Sequence, residues 1–173
     1  MNSLIGSEPA PSFDTPLEML LACHGRIQAQ CATLKKLILH LPKQGCDVQA
    51  QQAATNILRY FDSAGVYHHQ DEEIDLFPLL LATNSTAANN LISRLLDEHQ
   101  AMEAAWQTLC PLLSGVITGS LIAFDNAAAE HFIDVYDRHI ALENGQLLPL
   151  AKQFLAAEQL AQLGRSMAAR RMN

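Results

Sequence analysis

Tyr67–Leu80 reads YHHQDEEIDLFPLL and places a histidine, His68, four residues ahead of a glutamate, Glu72, with Phe77-Pro78 near its end. The arrangement returns in Arg138–Leu150, RHIALENGQLLPL. There His139 precedes Glu143 by four, and Pro149 follows the glutamate by six, as Pro78 follows Glu72. Phe61 and Phe132 each stand seven residues before their histidine, so the whole pattern recurs at an offset of 71. One HxxxE in a helical protein carries little information. Two, each with the same downstream Leu-Phe-Pro or Leu-Leu-Pro, are a duplicated feature.

On an α-helix, residues four apart are separated by about 40° around the axis and about 6 Å along it. His68 and Glu72 therefore share a face, as do His139 and Glu143. An imidazole nitrogen and a carboxylate oxygen on one face reach one metal centre, and a carboxylate also bridges two. Further nitrogen donors must come from other helices. His24 in LLACHGRIQ and His99 in LLDEHQAME qualify, because each follows a Leu-Leu pair at the same interval. Each is also followed by apolar residues at +3, +7 and +10: Ile27, Cys31, Leu34 and Met102, Trp106, Leu109. The chain reads as two halves, each a helix with one inward histidine followed by a helix with HxxxE. Histidine and carboxylate donors inside a bundle suit iron or manganese better than structural zinc.

The ordered set His24, His68xxxGlu72, His99, His139xxxGlu143 resembles the hemerythrin-like HHE cation-binding domain over about Leu17 to Arg171. The resemblance implies an all-α, up-down four-helix bundle with a non-haem centre of two iron ions. It also implies that the four histidines are terminal ligands and that Glu72 and Glu143 bridge. The oxygen-carrying hemerythrins use a fifth histidine four residues after the third-helix histidine, where this chain has Glu103. They also place an aspartate five after the last histidine, where this chain has Asn144. Both departures point to the bacterial type. Glu103 shares a face with His99 and is a candidate additional ligand or neighbour of the centre. Tyr136, three before His139, is a candidate hydrogen-bond donor to a bound ligand or water.

The 173 residues suit one domain with a sizeable core, and 49% of them are hydrophobic with only 8 glycines, which favours helices. A net charge of −7 argues against nucleic acid as a main partner. No apolar run is long enough for a membrane span, and the N-terminus lacks the pattern of a signal peptide. Cys23, Cys31, Cys46 and Cys110 form no CxxC and read as reduced thiols of a cytoplasmic protein.

Residues 1–14 read as an extended arm ahead of the bundle domain at 15–173. Thr15-Pro16-Leu17-Glu18 predicts a capping box with Pro at the first helical position. The first helix is expected to stop at Pro42, the second to start near Asp47 and to kink or end near Pro78. A third is expected over Thr86–Gly115, with a loop from Ser114 to Ser120. The fourth is expected from Leu121 to Phe154, continuing through Asn144-Gly145, and a short fifth over Ala156–Arg170. His69 points about 100° away from His68 and reads as surface or as a neighbour of the centre. Asp71, Glu73 and Asp75 read as a solvated acidic face, Phe61 and Phe132 as core, and His40 and His131 as unrelated to metal.

These features favour a protein that binds a small diatomic ligand, oxygen or nitric oxide, at a di-iron centre for storage, sensing or stress response. Two other classes also fit. One is a di-iron enzyme reducing nitric oxide or peroxide or supporting iron–sulfur repair, although the cysteine-bearing domain of the repair proteins has no counterpart here. The other is an interaction protein whose fold responds to iron. The balance favours binding over catalysis.

Overall fold

A computed structural model describes residues 10–172. The expected arm therefore lies outside the described residues except for its last five positions. The described chain is helical with no strand. Five helical segments follow one another: α1 (Pro16–Gln44), α2 (residues 48–81), α3 (Thr86–Thr118), α4 (residues 126–154) and α5 (Ala157–Arg170). α1 packs against α2 and α4, and α3 against the same two, so the four long helices close a ring around one interior. α5 lies across α1 and the second half of α2.

Local chemistry sets the ends. Asp47, Ser85 and Asp125 cap α2, α3 and α4 by accepting from the backbone N–H of Ala50, Ala88 and Ala128 at 2.9, 3.4 and 3.1 Å. The capping box expected at Thr15 is not formed: its side chain makes no cap bond, and its hydroxyl donates to the Ser12 carbonyl at 3.2 Å. Pro42 does not stop α1, which runs to Gln44. Proline loses one hydrogen bond but its φ is helical, and Gly45 N–H still reaches Leu41 O at 2.9 Å. α3 likewise runs past Gly115 to Thr118 and ends at Gly119, whose φ of 65° is the left-handed cap that glycine adopts freely. α4 starts five residues later than expected, because Asp125 supplies the cap and Leu121 is used instead to pack over Gly115.

α2 and α4 are not uniform. Both widen into π-helix at their glutamates, over Asp71–Leu76 and Glu143–Leu147. In each the N–H five residues on returns to the glutamate carbonyl, from Phe77 to Glu72 and from Leu148 to Glu143. Pro78 and Pro149 follow immediately. α2 has one further π stretch, Phe61–Gly65, with no counterpart in α4.

The interior is two apolar clusters separated by a polar layer. One holds Ile27, Leu34, Ile57, Phe61, Met102, Leu109, Phe132 and Tyr136. The other holds Leu20, Leu76, Phe77, Leu80, Leu95, Leu142, Leu147 and Met167. His24 lies between Leu20 and Ile27 and His99 between Leu95 and Met102, so the buried polar groups form the seam.

The acidic group after His69 is solvated only at Glu73. Asp71 is fully buried and accepts from both Arg170 at the end of α5 and Arg171 just after it, with Arg171 Nη2 at 2.6 Å; Arg170 also reaches Asp75 at 2.6 Å. The periodicity of α2 hides this because the partner lies about a hundred residues away. Arg171 also covers the rings of Phe13 and Tyr67. Gly164 faces the Phe13 carbonyl so closely that a Cβ there would overlap it. Replacing both arginines by alanine leaves the Asp71 carboxylate buried without a counter-charge. The double variant is expected to lose about 3 kcal/mol of stability, read as a lower urea midpoint with unchanged slope; an unchanged midpoint would show that α5 does not hold α2.

Candidate metal centre

The six sequence-predicted side chains meet in the seam. His24, His68, His99, His139, Glu72 and Glu143 are all buried, from 0 to 4% exposed. Their donor atoms form two groups that share both carboxylates: His24, His68, Glu72, Glu143, and Glu72, His99, His139, Glu143. The oxygens divide between the groups. Glu72 Oε1 faces His68 Nε2 at 3.3 Å and His24 Nε2 at 3.9 Å, whereas its Oε2 faces His99 Nε2 at 3.4 Å. Glu143 Oε2 faces His24 Nε2 and Oε1 faces His139 Nε2, both at 3.1 Å.

These contacts are close without being aligned as hydrogen bonds. His24 Nε2, both nitrogens of His68 and all four oxygens of Glu72 and Glu143 are buried with no hydrogen-bond partner among the described residues. Orphaned buried polar atoms are rare and costly; seven gathered in one seam ask for a cation. His99 Nε2 and His139 Nε2 face each other at 3.1 Å. Both rings already engage carboxylates through Nδ1: His99 with Glu73 at 2.6 Å and His139 with Glu98 at 3.0 Å. With Nδ1–H donating outward, two lone pairs oppose each other across that gap unless a proton or a metal ion lies between. The donor set fits hard-to-borderline metal held by nitrogen and oxygen.

Electrostatics agree. Burial disfavours the charged form of His24, but Glu143 and Glu72 outweigh it and push its pKa up to about 10. Burial acts likewise on His99, and Glu72, Glu143 and Glu73 push it up to about 9. Burial opposes ionisation of Glu72, yet His68, His24 and His99 hold its carboxyl well below the usual range. Glu143 is opposed by burial and by the charge of Glu72, and its contacts with His139 and His24 still lower it.

Three residues that the sequence did not single out for the centre orient its histidines from neighbouring helices. His24 Nδ1 pairs with Asn144 Oδ1 at 2.6 Å, and Glu73 and Glu98 hold His99 and His139 as above. Such contacts fix the ring and leave Nε2 pointing inward. A signal existed: Glu73 and Asn144 each directly follow a repeated glutamate, so they too are related by the offset of 71. Cys23 lies beside His68; burial opposes its thiolate, but His68 and the Arg26 guanidinium, 3.1 Å from its Sγ, lower its pKa.

The remaining candidates sit around this core. Tyr136 is buried against Phe61 and Phe132, which meet edge-to-face at 4.9 Å. Glu103 is exposed, receives Gln107, and belongs to neither donor group. His69 is half-buried rather than on the surface, its ring stacked on His99 at 4.1 Å. Burial and then the imidazoles of His99 and His68 hold it well below the ordinary histidine range, so it is neutral. His40 binds Asp47 at 2.9 Å and His131 is exposed. All four cysteines are free thiols.

Residues 15–151 match the family model described as the hemerythrin HHE cation binding domain. An uncharacterized protein of Haemophilus influenzae is 34% identical over 160 residues, which cover 92% of each chain.

In the metal-free protein, His24 and His99 are expected to stay protonated through neutral pH and to titrate near 10 and 9. Because both values are raised, their ion pairs support the fold fully below the ordinary histidine range. That support fades as pH climbs through 9 to 10. Histidine-selective NMR of the metal-free chain reads both midpoints; ordinary values for both rings would contradict the carboxylate contacts described.

Proposed function

The chain belongs to the hemerythrin HHE cation-binding family, and on that premise we propose that it holds two iron ions and binds a small diatomic ligand, oxygen or nitric oxide, for storage, sensing or stress response. We take the four long helices as an up-down bundle, since the short connections at 45–47, 82–85 and 119–125 favour antiparallel neighbours. The observation that carries the reading is the division of each carboxylate between two imidazole pairs. His24 and His68 would hold one ion, His99 and His139 the other, with Glu72 and Glu143 bridging. Iron at such a site supplies redox electrons and exchangeable coordination positions to a small ligand.

The protein's own part is positioning and exclusion. Asn144, Glu73 and Glu98 hold three imidazoles by Nδ1. The apolar clusters above and below the seam keep bulk water from both carboxylates. Tyr136, buried beside His69, would hydrogen-bond a ligand rather than the metal. Glu103, exposed, would tune the surroundings from outside the donor set. Free cysteines suit a cytoplasmic setting, and no helix among the described residues is long and apolar enough to cross a membrane.

Metal analysis of anaerobically purified chain is expected to give about two irons. Glu72→Ala and Glu143→Ala are each expected to lose the pair while circular dichroism stays helical, and His40→Ala and His131→Ala to keep it. Full iron in either glutamate variant would exclude bridging. Because His24 and His99 carry protons in the metal-free protein, loading must release them, so apparent affinity rises with pH. Iron titration in weak buffer is expected to release about two protons per chain from these rings; loading without release would mean that the imidazoles are not the donors. An optical change on adding oxygen that reverses on its removal would support a carrier or sensor, and an irreversible one an oxidising enzyme.

A further inference from the structure

The two imidazole pairs are not equivalent, and one side of the bundle is open. A cavity of about 590 Å³ lies between α2 and α3, and its lining includes Phe61, Gly65, His69, His99, Trp106 and Tyr136. Every lining residue belongs to α2, α3 or α4, and none to α1. His99 is therefore the member of the donor set that the cavity reaches, and His24 lies on the far side of the seam. The extra π stretch of α2, Phe61–Gly65, forms part of this wall. Gly65 leaves it thin, since a Cβ there would press on the Phe61 ring at 3.3 Å.

His69 sits where the cavity meets the centre. Its ring is nearly parallel to that of His99, at 20°, and its donor nitrogen lies within 4.8 Å of those of His99 and His139. Unlike His24, His99 and His139, it is engaged in no hydrogen bond among the described residues. An imidazole always carries at least one N–H, so an unengaged ring at this point is a donor waiting for an acceptor. The walls carry the rings of Phe61 and Trp106 together with Asp62, Glu73 and Glu103, a lining that disfavours anions and admits a small neutral molecule.

Resting on the di-iron reading above, we propose that an incoming neutral diatomic ligand binds on the His99–His139 side, enters through the α2–α3 cavity, and accepts a hydrogen bond from His69. His69 is thus a specificity-determining residue that touches the ligand rather than the metal. Asn144, Cys23 and the enclosed His24–His68 pair take no part in ligand entry.

The test uses nitric oxide as probe, on the full chain reconstituted with iron. In a crystal structure of the adduct, nitric oxide is expected beside His99 and His139, with one atom about 3 Å from His69. His69→Leu is expected to keep the iron and to release nitric oxide about tenfold faster, the effect of one lost hydrogen bond. His69→Gln, which retains an N–H donor, is expected to restore part of the residence time and the shift in the N–O stretching frequency. Nitric oxide on the His24–His68 side, or an unchanged release rate in an iron-replete His69→Leu, overturns the inference and leaves the di-iron reading standing. A wild-type chain that takes up no iron overturns both. Should His69→Leu lose its iron, Leu96, which also lines the cavity, decides: Leu96→Trp narrows it and is expected to slow nitric oxide uptake about tenfold, and unaltered uptake refutes the route.

Discussion

Two carboxylates, Glu72 and Glu143, each divide their oxygens between two imidazole pairs inside an interior that is otherwise apolar. Burying an ionised carboxylate without partners is prohibitive, so the rest of the bundle is arranged around making these two tolerable. Four imidazoles converge on them. A layer of aliphatic and aromatic side chains on each side excludes water and thereby strengthens every contact within the seam. The same low dielectric makes the layer unforgiving, because removing one partner strands the others. It also separates the roles of the two apolar clusters: each packs the helices at one end, and the polar seam between them fixes which residues of each helix face one another.

Helix geometry answers to the same constraint. A π stretch adds a residue to one turn and is found mostly at functional sites. Here two of the three begin at or just before a repeated glutamate, and the N–H that closes each of these two comes from the residue preceding a proline. Pro78 and Pro149 have no N–H to offer the ladder, so the widened turn passes into the next α-helical segment with one fewer donor to satisfy. The proline six after each glutamate is thus part of how the carboxylate is presented. The chain stays helical through Asn144 and Gly145, a pair that would otherwise signal a turn, because Asn144 is occupied by His24 and the π turn absorbs the local strain on spacing.

The donor set was legible because it is written in helical periodicity: spacings of four, apolar stripes, and a repeat at constant offset. What escaped depends on contacts between helices. That Asp71 would be buried against Arg170 and Arg171 cannot be read from α2, where it sits in a run of acids, nor from α5, where the arginines close the helix. Glu73 and Glu98 resemble ordinary surface charges until α3 and α4 are placed beside them. The angle from His68 leaves His69 either on the surface or as a neighbour of the centre, and only its stacking on His99 of α3 decides for the second. Helix ends failed for smaller reasons: a proline in a last turn costs too little to end α1, and a capping aspartate at 125 outcompetes a plausible start at Leu121.

The repeat is faithful at the centre and divergent around it, and the divergence has a direction. Glu73 and Asn144 occupy equivalent places after the repeated glutamates, one a carboxylate and the other an amide. Glu98 and Cys23 occupy equivalent places before His99 and His24, one a carboxylate and the other a thiol beside Arg26. The His99–His139 pair therefore has two anionic partners behind its rings, whereas the His24–His68 pair has an amide and a thiol. A carboxylate behind an imidazole raises its basicity and favours higher positive charge in front of it. The same pair adjoins the cavity, and the more weakly supported pair is enclosed by α1. The two halves of the donor set are alike, and two differing neighbours give them different fields and different access, so that the His99–His139 side of the seam is more electron-rich and more reachable than the His24–His68 side.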